Sequence, residues 1–340
     1  MKYIRYILFP FSILYYCVTS IRNFAYDYGI FKSYSFKTPI IVVGNLSVGG
    51  TGKTPQIEYL IHLLQDKYKV AVLSRGYKRS TKGYIEVNQH HKVSDVGDEP
   101  LQYFKKFDNI SVAVNENRVE GINNLNKDLK PEVILLDDAY QHRRVKASFQ
   151  ILLTKYNDLF TDDFLLPSGN LRESRIGAKR ANCIVVTKCP SHISEAKKTE
   201  IKAKLSSYNK PIYFSCISYS DKVLGETTYN LSTLKNYTLL LITGIANPKP
   251  LLEFLSQNSI NFHHLNYPDH YNFKDADIKK IKEEYKAIKS SNKLILTTEK
   301  DYVRLSTKLT LNYLPIKTLF LEDKKLFNST VLIHISKNNS

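Results

Sequence analysis

The stretch "IIVVGNLSVGGTGKTP", Ile40 to Pro55, constrains the fold more than any other. An apolar run stops, glycines cluster, and Lys-Thr follows. The next residues, "QIEYLIHLLQ", place Ile57, Leu60, Ile61 and Leu64 at helical spacing. Buried strand, glycine-rich turn and amphipathic helix are the parts of a phosphate-binding P-loop, whose pattern is G-x-x-x-x-G-K-[ST]. Gly52, Lys53 and Thr54 fit it, while Ser47 stands where the first glycine belongs. Glycines let backbone N–H groups converge on phosphate oxygens with no Cβ in the way, and the helix N-terminus adds favourable partial charge. The expected cradle is Ser47, Val48, Gly49, Gly50, Thr51, Gly52, Lys53 and Thr54. Lys53 would reach the outer phosphates and Thr54 would hold Mg²⁺, so ATP and Mg²⁺ are the implied cofactors. Pro55 suits the first helical turn, where its missing N–H costs nothing.

A P-loop needs a metal-holding acid at the end of a neighbouring strand. "VILLDD" supplies two candidates, Asp137 and Asp138, after four apolar residues. Strands continue to alternate with helices, which argues for a mostly parallel α/β sheet with helices on both faces. "STKGYIEVNQHHKV" is polar and β-prone and reads as a hairpin flap near residues 80–92. Near residue 220 the pattern restarts with "YTLLLITGIANPKPLLEFLSQ", a second, smaller α/β unit. The expected division is an apolar helix over 1–30, a P-loop domain over 31–220 and a smaller domain over 221–340. The tail "SKNNS" is expected to fray.

The first residues are unlike the rest. "YILFPFSILYYCVTSI" carries no charge between Arg5 and Arg22. As a helix it would be about 24 Å long, short of a hydrocarbon core of ~30 Å, and Pro10 weakens its start. A signal peptide with Lys2 and Arg5 as its basic region, a core helix and a membrane anchor all fit the pattern. The anchor is favoured, because an ATP user works where ATP is. The four cysteines form no CxxC, which fits a reducing compartment better than a disulfide framework or zinc site. The formal net charge of +17 points to an anionic partner: nucleic acid, an acidic membrane or a phosphorylated substrate.

Hydrolysis of a bound nucleotide needs a water; transfer to an acceptor needs a hydroxyl and a group to take its proton. "VGDEP", with Asp98 and Glu99, has glycine before and proline after, which reads as a loop; "YPDHYNF" carries Asp269 and His270. A carboxylate touching a histidine would make a base pair.

"VVGNLSVGGTGKTP", "SRGYKR", "VGDEP", "NENR", "LLDDAYQHRR", "LLPSGNLRES", "TGIANP" and "PDHYNF" occur in one order, and together they resemble the tetraacyldisaccharide 4'-kinase family of lipid A biosynthesis. The resemblance runs from the apolar N-terminal segment to "TTEKDYVRL". It implies an inner-membrane enzyme at the cytoplasmic face, monotopic or held by one N-terminal helix. It implies phosphorylation of the 4'-hydroxyl of a lipid A disaccharide precursor with ATP and Mg²⁺, and two α/β domains. Asp98 and His270 match the residues that would deprotonate the acceptor. Asp137 and Asp138 match metal-site acids, with Glu99 as helper. Arg172 matches an arginine facing anionic substrate or phosphates, with Arg118 and Arg75 as further substrate contacts. Departures are Ala139 and Ala246 where glycine is usual, and "SGNLRE" for the common "GPLRE".

A membrane-bound ATPase switch also uses "GGTGKT", but its signature lysine is replaced here by Val48. No nucleic-acid module is recognisable and the basic residues are dispersed; neither nucleic acid nor an obligate protein partner is expected.

Overall fold

Seven apolar runs of the chain, with the two-residue Ile85–Glu86 at an edge, become strands of one sheet because each apolar run is largely buried between layers. In this computed structural model, which describes residues 7–339, the strands are β1 (Ile40–Asn45), β2 (Val70–Ser74), β3 (Ile85–Glu86), β4 (Ile110–Val114), β5 (Val133–Asp137), β6 (Phe149–Lys155), β7 (Cys183–Thr187) and β8 (Ile212–Tyr219). A ninth, β15 (Ile316–Phe320), joins them, and the spatial order is β15-β8-β7-β6-β1-β5-β2-β4-β3. The centre, from β4 to β8, is parallel; β3 and β15 close the two edges antiparallel. Every residue of β1, β2, β5 and β7 is buried, as a parallel sheet covered on both faces requires.

The apolar stripe of helix α2 (Lys53–Leu64) seals one face: Ile57, Leu60, Ile61 and Leu64 are all fully buried. A second sheet contains β9 (Lys222–Gly225), β10 (Tyr229–Asn230), β11 (Thr238–Thr243), β12 (Asn261–Asn266), β13 (Lys293–Thr298) and β14 (Asn312–Leu314), in the order β10-β9-β14-β13-β11-β12. It forms its own core around Leu239, Leu241, Leu255 and Leu296.

The described structure departs from the sequence reading in several places. The chain after β14 does not stay with the smaller unit. β15 pairs with β8, and Phe327, Val331 and Ile335 of the last helix (Lys324–Asn339) pack in the core that holds Ile57 and Leu60. The second sheet is thus an insertion between two parts of the larger unit, and the tail is helical through Asn339. No hairpin forms near 80–92: only Ile85–Glu86 is extended, and it pairs with Val114 and Ala113 of β4. A turn follows, in which the Asn88 N–H is taken by the His91 ring. No helix among the described residues is long and apolar enough to cross a membrane. Lys2 and Arg5 lie outside the described residues.

The two units meet where helix α3 (Asp98–Lys106) touches α8 (Glu299–Leu305). Between them α4 is Arg118–Asp128, α5 Glu195–Leu205, α6 Lys249–Gln257 and α7 Asp275–Ala287. At this junction Lys106 reaches Glu58 of α2 and Glu299 of α8, both at 2.8 Å, and Gln102 donates to Glu58 at 2.8 Å. Burial pushes the Glu58 carboxyl up from 4.5 to about 7, with Lys106 opposing and Glu299 adding to the rise. An acid raised on folding binds its proton more tightly in the native state. Its contribution to stability is therefore lost as pH rises from about 4.5 through about 7. Glu58→Gln is expected to flatten that part of the pH–stability curve, read from urea midpoints at pH 5.5 and 8. An unchanged slope would remove Glu58 from the linkage.

Candidate functional site

The P-loop is shaped by its glycines and by a neighbouring loop. Gly52 sits at φ +85°, a left-handed conformation that L side chains rarely adopt, and caps α2. Among the described residues no acceptor takes the N–H of Gly49, Gly50, Thr51 or Gly52. The Val48 N–H is already used: it donates to Asn170 O at 2.8 Å. Ser47, which is buried, forms a bridge with Leu171, and Arg172 N–H donates to Leu46 O at 2.7 Å. The segment 170–172 thus runs along the start of the P-loop. From β7, Thr187 donates its hydroxyl to Thr51 O at 2.8 Å and braces the turn.

The register of the sheet places the acids. β5 pairs beside β1 with Asp137 opposite Val43, so the carboxylates emerge next to the phosphate loop. Asp138 takes φ +47°, uncommon for a non-glycine residue. Its carboxylate meets Lys53 at 3.5 Å and Arg172 at 2.8 Å. Burial works against its charge, but Lys53 and Arg172 hold it below the usual carboxylate range. Asp137 is in a different state. One oxygen accepts from the Tyr103 hydroxyl at 3.1 Å, and the other is buried with no partner among the described residues. Burial, then Glu99 and Asp138, push it up to about 7. Burial also raises Glu99, with Lys300 and Lys53 opposing.

These residues fit a divalent cation brought in with a nucleotide. Among the described residues no three His, Cys, Asp or Glu are arranged to hold a metal unaided. Mg²⁺ does not need that: one or two carboxylates plus phosphate oxygens suffice. The orphan oxygen of Asp137 and its raised proton affinity suit it to a cation, whereas Asp138 is already paired with Lys53 and Arg172.

Asp98 and Glu99 are not on a loop. They open α3, with Gly97 at φ +92° as the residue before it and Pro100 in its first turn. A Cβ on Gly97 would lie 3.1 Å from Tyr77 O, so both space and conformation require glycine there. His270, itself at φ +57°, comes from the smaller unit and places Nδ1 2.7 Å from Asp98 Oδ2. Its Nε2 lies 3.0 Å from Lys300 Nζ. An ionised carboxylate only accepts, so the tautomer that bonds Asp98 carries its proton on Nδ1 and leaves Nε2 to accept from Lys300. Asp269 does not join this pair closely; it meets Lys300 at 3.2 Å. Arg304 grips Asp98 through Nε at 2.7 Å and through Nη2. Burial would raise Asp98, but the Arg304 and His270 hydrogen bonds and charges outweigh it and hold its carboxyl well below the usual range.

The three arginines separate. Arg172 stands over the P-loop, bonded to Asp138 and Asn45. Arg118 is buried and donates to Asn115 O at 2.8 Å and Asp137 O at 3.4 Å, so it supports backbone. Burial pushes it down to about 10. Arg75 is exposed. Near these, His142 is pushed down to about 4 by burial and by Arg118, Arg144, Arg22 and Arg75, and its Nε2 has no partner among the described residues. This side of the cleft is strongly positive.

Sequence reasoning missed Tyr103, His142, Lys300 and Arg304. Tyr103 lies four residues after Glu99 on the same face of a helix, and Lys300 and Arg304 are likewise four apart. Those spacings would have paired them had the two short segments been recognised as helices.

A model of the family described as tetraacyldisaccharide-1-P 4'-kinase matches residues 4–335. The tetraacyldisaccharide 4'-kinase of Flavobacterium johnsoniae is 52% identical over 99% of this chain and 99% of its own length. That of Bacteroides thetaiotaomicron is 43% identical over 97% of this chain and 93% of its own. The crystal structure of the Aquifex aeolicus homologue in complex with ATP superposes with a TM-score of 0.80 at 30% identity, covering 98% of this chain and 99% of that one. With the family matched along nearly the whole chain and its fold matched in a solved relative, the chain belongs to the tetraacyldisaccharide 4'-kinase family.

Proposed function

We propose that this chain transfers the γ-phosphate of ATP to the 4'-hydroxyl of a tetraacyldisaccharide 1-phosphate, a lipid A precursor, giving a lipid IVA-type product and ADP. The observation that carries the reaction chemistry is the Asp98–His270 pair at 2.7 Å, held at the junction of the two units beside the P-loop helix. His270 Nε2 is the nitrogen with a lone pair, so it takes the acceptor proton as the hydroxyl oxygen bonds to phosphorus and the bond to ADP breaks. The imidazolium that forms keeps its Nδ1–H on Asp98, whose negative charge stabilises it. Asp98 itself is too firmly held as a carboxylate to be the better base. The free amides of Gly49 to Gly52 and the Lys53 ammonium bind phosphate oxygens. Mg²⁺, held by Thr54 and Asp137 with Glu99 nearby, would neutralise charge on the transferred group. Arg172 exchanges Asp138 for phosphate, and Arg75 with its positive surroundings faces the anionic substrate.

The proposed site of action is the cytoplasmic face of the inner membrane. Helix α1 (Phe9–Asp27) exposes Phe11, Leu14, Val18 and Ile21, spaced along one stripe. Its other side is tied down: Ser12 bonds Ser168 at 2.8 Å, and the Tyr15 hydroxyl donates to Arg172 O at 2.8 Å. An apolar stripe outside and a polar seam inside suit a helix lying in the interface of an anionic bilayer. Replacing Leu14 and Val18 by Glu is expected to weaken sedimentation with anionic vesicles by ~10-fold or more, with nucleotide binding unchanged. Undiminished sedimentation would remove the stripe from membrane binding.

Transfer of labelled γ-phosphate from ATP to the detergent-solubilised disaccharide 1-phosphate tests the reaction. ATP hydrolysis stimulated by a protein or polynucleotide, without lipid phosphorylation, would favour a switch instead.

A further inference from the structure

Arg304 lies on α8 of the inserted unit, yet its chemistry is spent on the larger unit. Its side chain is 7% exposed. Nε donates to Asp98 Oδ1 at 2.7 Å, and Nη2 donates to Asp98 Oδ2, 3.1 Å from His270 Nδ1. The third nitrogen, Nη1, donates to Asp301 Oδ1 at 3.0 Å. Asp301 is fully buried and anchored in turn: its Oδ2 accepts from Gly244 N–H at 2.8 Å and from the Thr298 hydroxyl at 2.7 Å. The guanidinium is therefore fixed from behind, at the end of β11 and the start of α8, and presents a rigid fork forward. Both oxygens of Asp98 are taken by that fork, which removes the freedom of the carboxylate to rotate. His270 Nδ1 meets that fixed Oδ2 at 2.7 Å.

We propose that Arg304 is the positioning residue of the Asp98–His270 pair: its fork fixes the carboxylate so that Oδ2 receives Nδ1–H and Nε2 is the basic nitrogen. The inference rests on the role of that pair in proton abstraction given above. A planar fork makes two parallel bonds to a carboxylate, and a lysine ammonium cannot. A plain ion pair between the units would need only the charge.

The test measures kcat and KM for ATP and lipid acceptor in wild type, R304K, R304A, H270A and R304A/H270A, with and without added guanidinium ion. Thermal unfolding of each variant is recorded alongside. R304A is expected to lose ~100-fold in kcat, with KM for ATP little changed. R304K is expected to lose a similar factor while unfolding near the wild-type temperature. Guanidinium should restore part of the R304A loss and none of the H270A loss. In the H270A background R304A should cost nothing further, because residues that act as one unit are not additive. Wild-type kcat in R304K, or an R304A loss repeated in full on H270A, would overturn the proposal and leave the pair's own role intact. Wild-type kcat in H270A would overturn both. If R304A fails to fold, R304K and R304K/H270A carry the same comparison.

Discussion

Replacing His270 by alanine is expected to lower kcat by ~10²–10⁴-fold, the usual worth of a general base, while leaving ATP affinity nearly untouched. The split follows from where the residue stands. His270 belongs to the inserted unit and bonds Asp98 and Lys300, not the phosphate loop. The loop's free amides and Lys53 belong to the other unit and keep their geometry without it. The imidazole is also the better base of the pair. Arg304 stabilises the Asp98 carboxylate so strongly that a proton placed there gains little, whereas Nε2 meets the Lys300 ammonium at 3.0 Å, a bond that the acceptor hydroxyl must replace. Asp98→Asn should therefore be damaging for another reason. The amide leaves Arg304 with Asp301 alone as its counter-charge and no longer favours the tautomer with Nδ1–H. The measurement is single-turnover phosphate transfer to the lipid acceptor, with nucleotide affinity determined separately by fluorescent ATP analogue. A rise in the ATP dissociation constant that accounts for the whole loss would remove His270 from the proton-transfer role.

What could be read without coordinates was local. The β1 strand, the P-loop and α2 lie within 25 consecutive residues (Ile40–Leu64), and their signals are a run of apolar residues, glycines and a 3.6-residue period. Asp137 was legible because an acid closing an apolar run must emerge at a strand end, and the parallel register with β1 then brings it to the loop. What depended on distant pairing was not legible. "IKTLF" alternates buried Thr318 and Phe320 with exposed Lys317 and Leu319, as any edge strand does, and nothing local says that its partner is β8, about a hundred residues earlier. Asp98 was read as a loop residue because glycine before and proline after are breakers in general. Both also suit a helix start, where a glycine precedes the first turn and proline's missing N–H costs nothing. Family resemblance supplied the pairing of Asp98 with His270, 172 residues apart; residue spacing could not. The arginine behind that pair carried no motif at all.

Asp137→Asn is expected to cost ~10²–10³-fold in phosphate transfer, from loss of several kcal/mol of charge stabilisation, and to separate nucleotide binding from its metal dependence. Asp137 and Asp138 are neighbours with opposite surroundings. Asp138 already has two cations, Lys53 and Arg172, at its oxygens, and its charge is kept. Asp137 has one phenol donor and one orphan oxygen, and burial with nearby Glu99 and Asp138 raises it to about 7. A carboxylate in that condition gains most from a dication, so it is the one expected to contact the ion. The amide is nearly the same shape and still accepts from Tyr103, so the fold is retained. Its effect should show as a loss of the strengthening that Mg²⁺ gives to ADP and ATP binding, measured by calorimetry with and without the ion. Because burial with Glu99 and Asp138 raises the proton affinity of the wild-type carboxyl, Mg²⁺ binding should release protons near neutral pH. That release should vanish in Asp137→Asn and persist in Asp138→Asn. Equal Mg²⁺ enhancement in Asp137→Asn and wild type would move the metal contact to Asp138, and Arg172 would then have to leave Asp138 before the ion could bind.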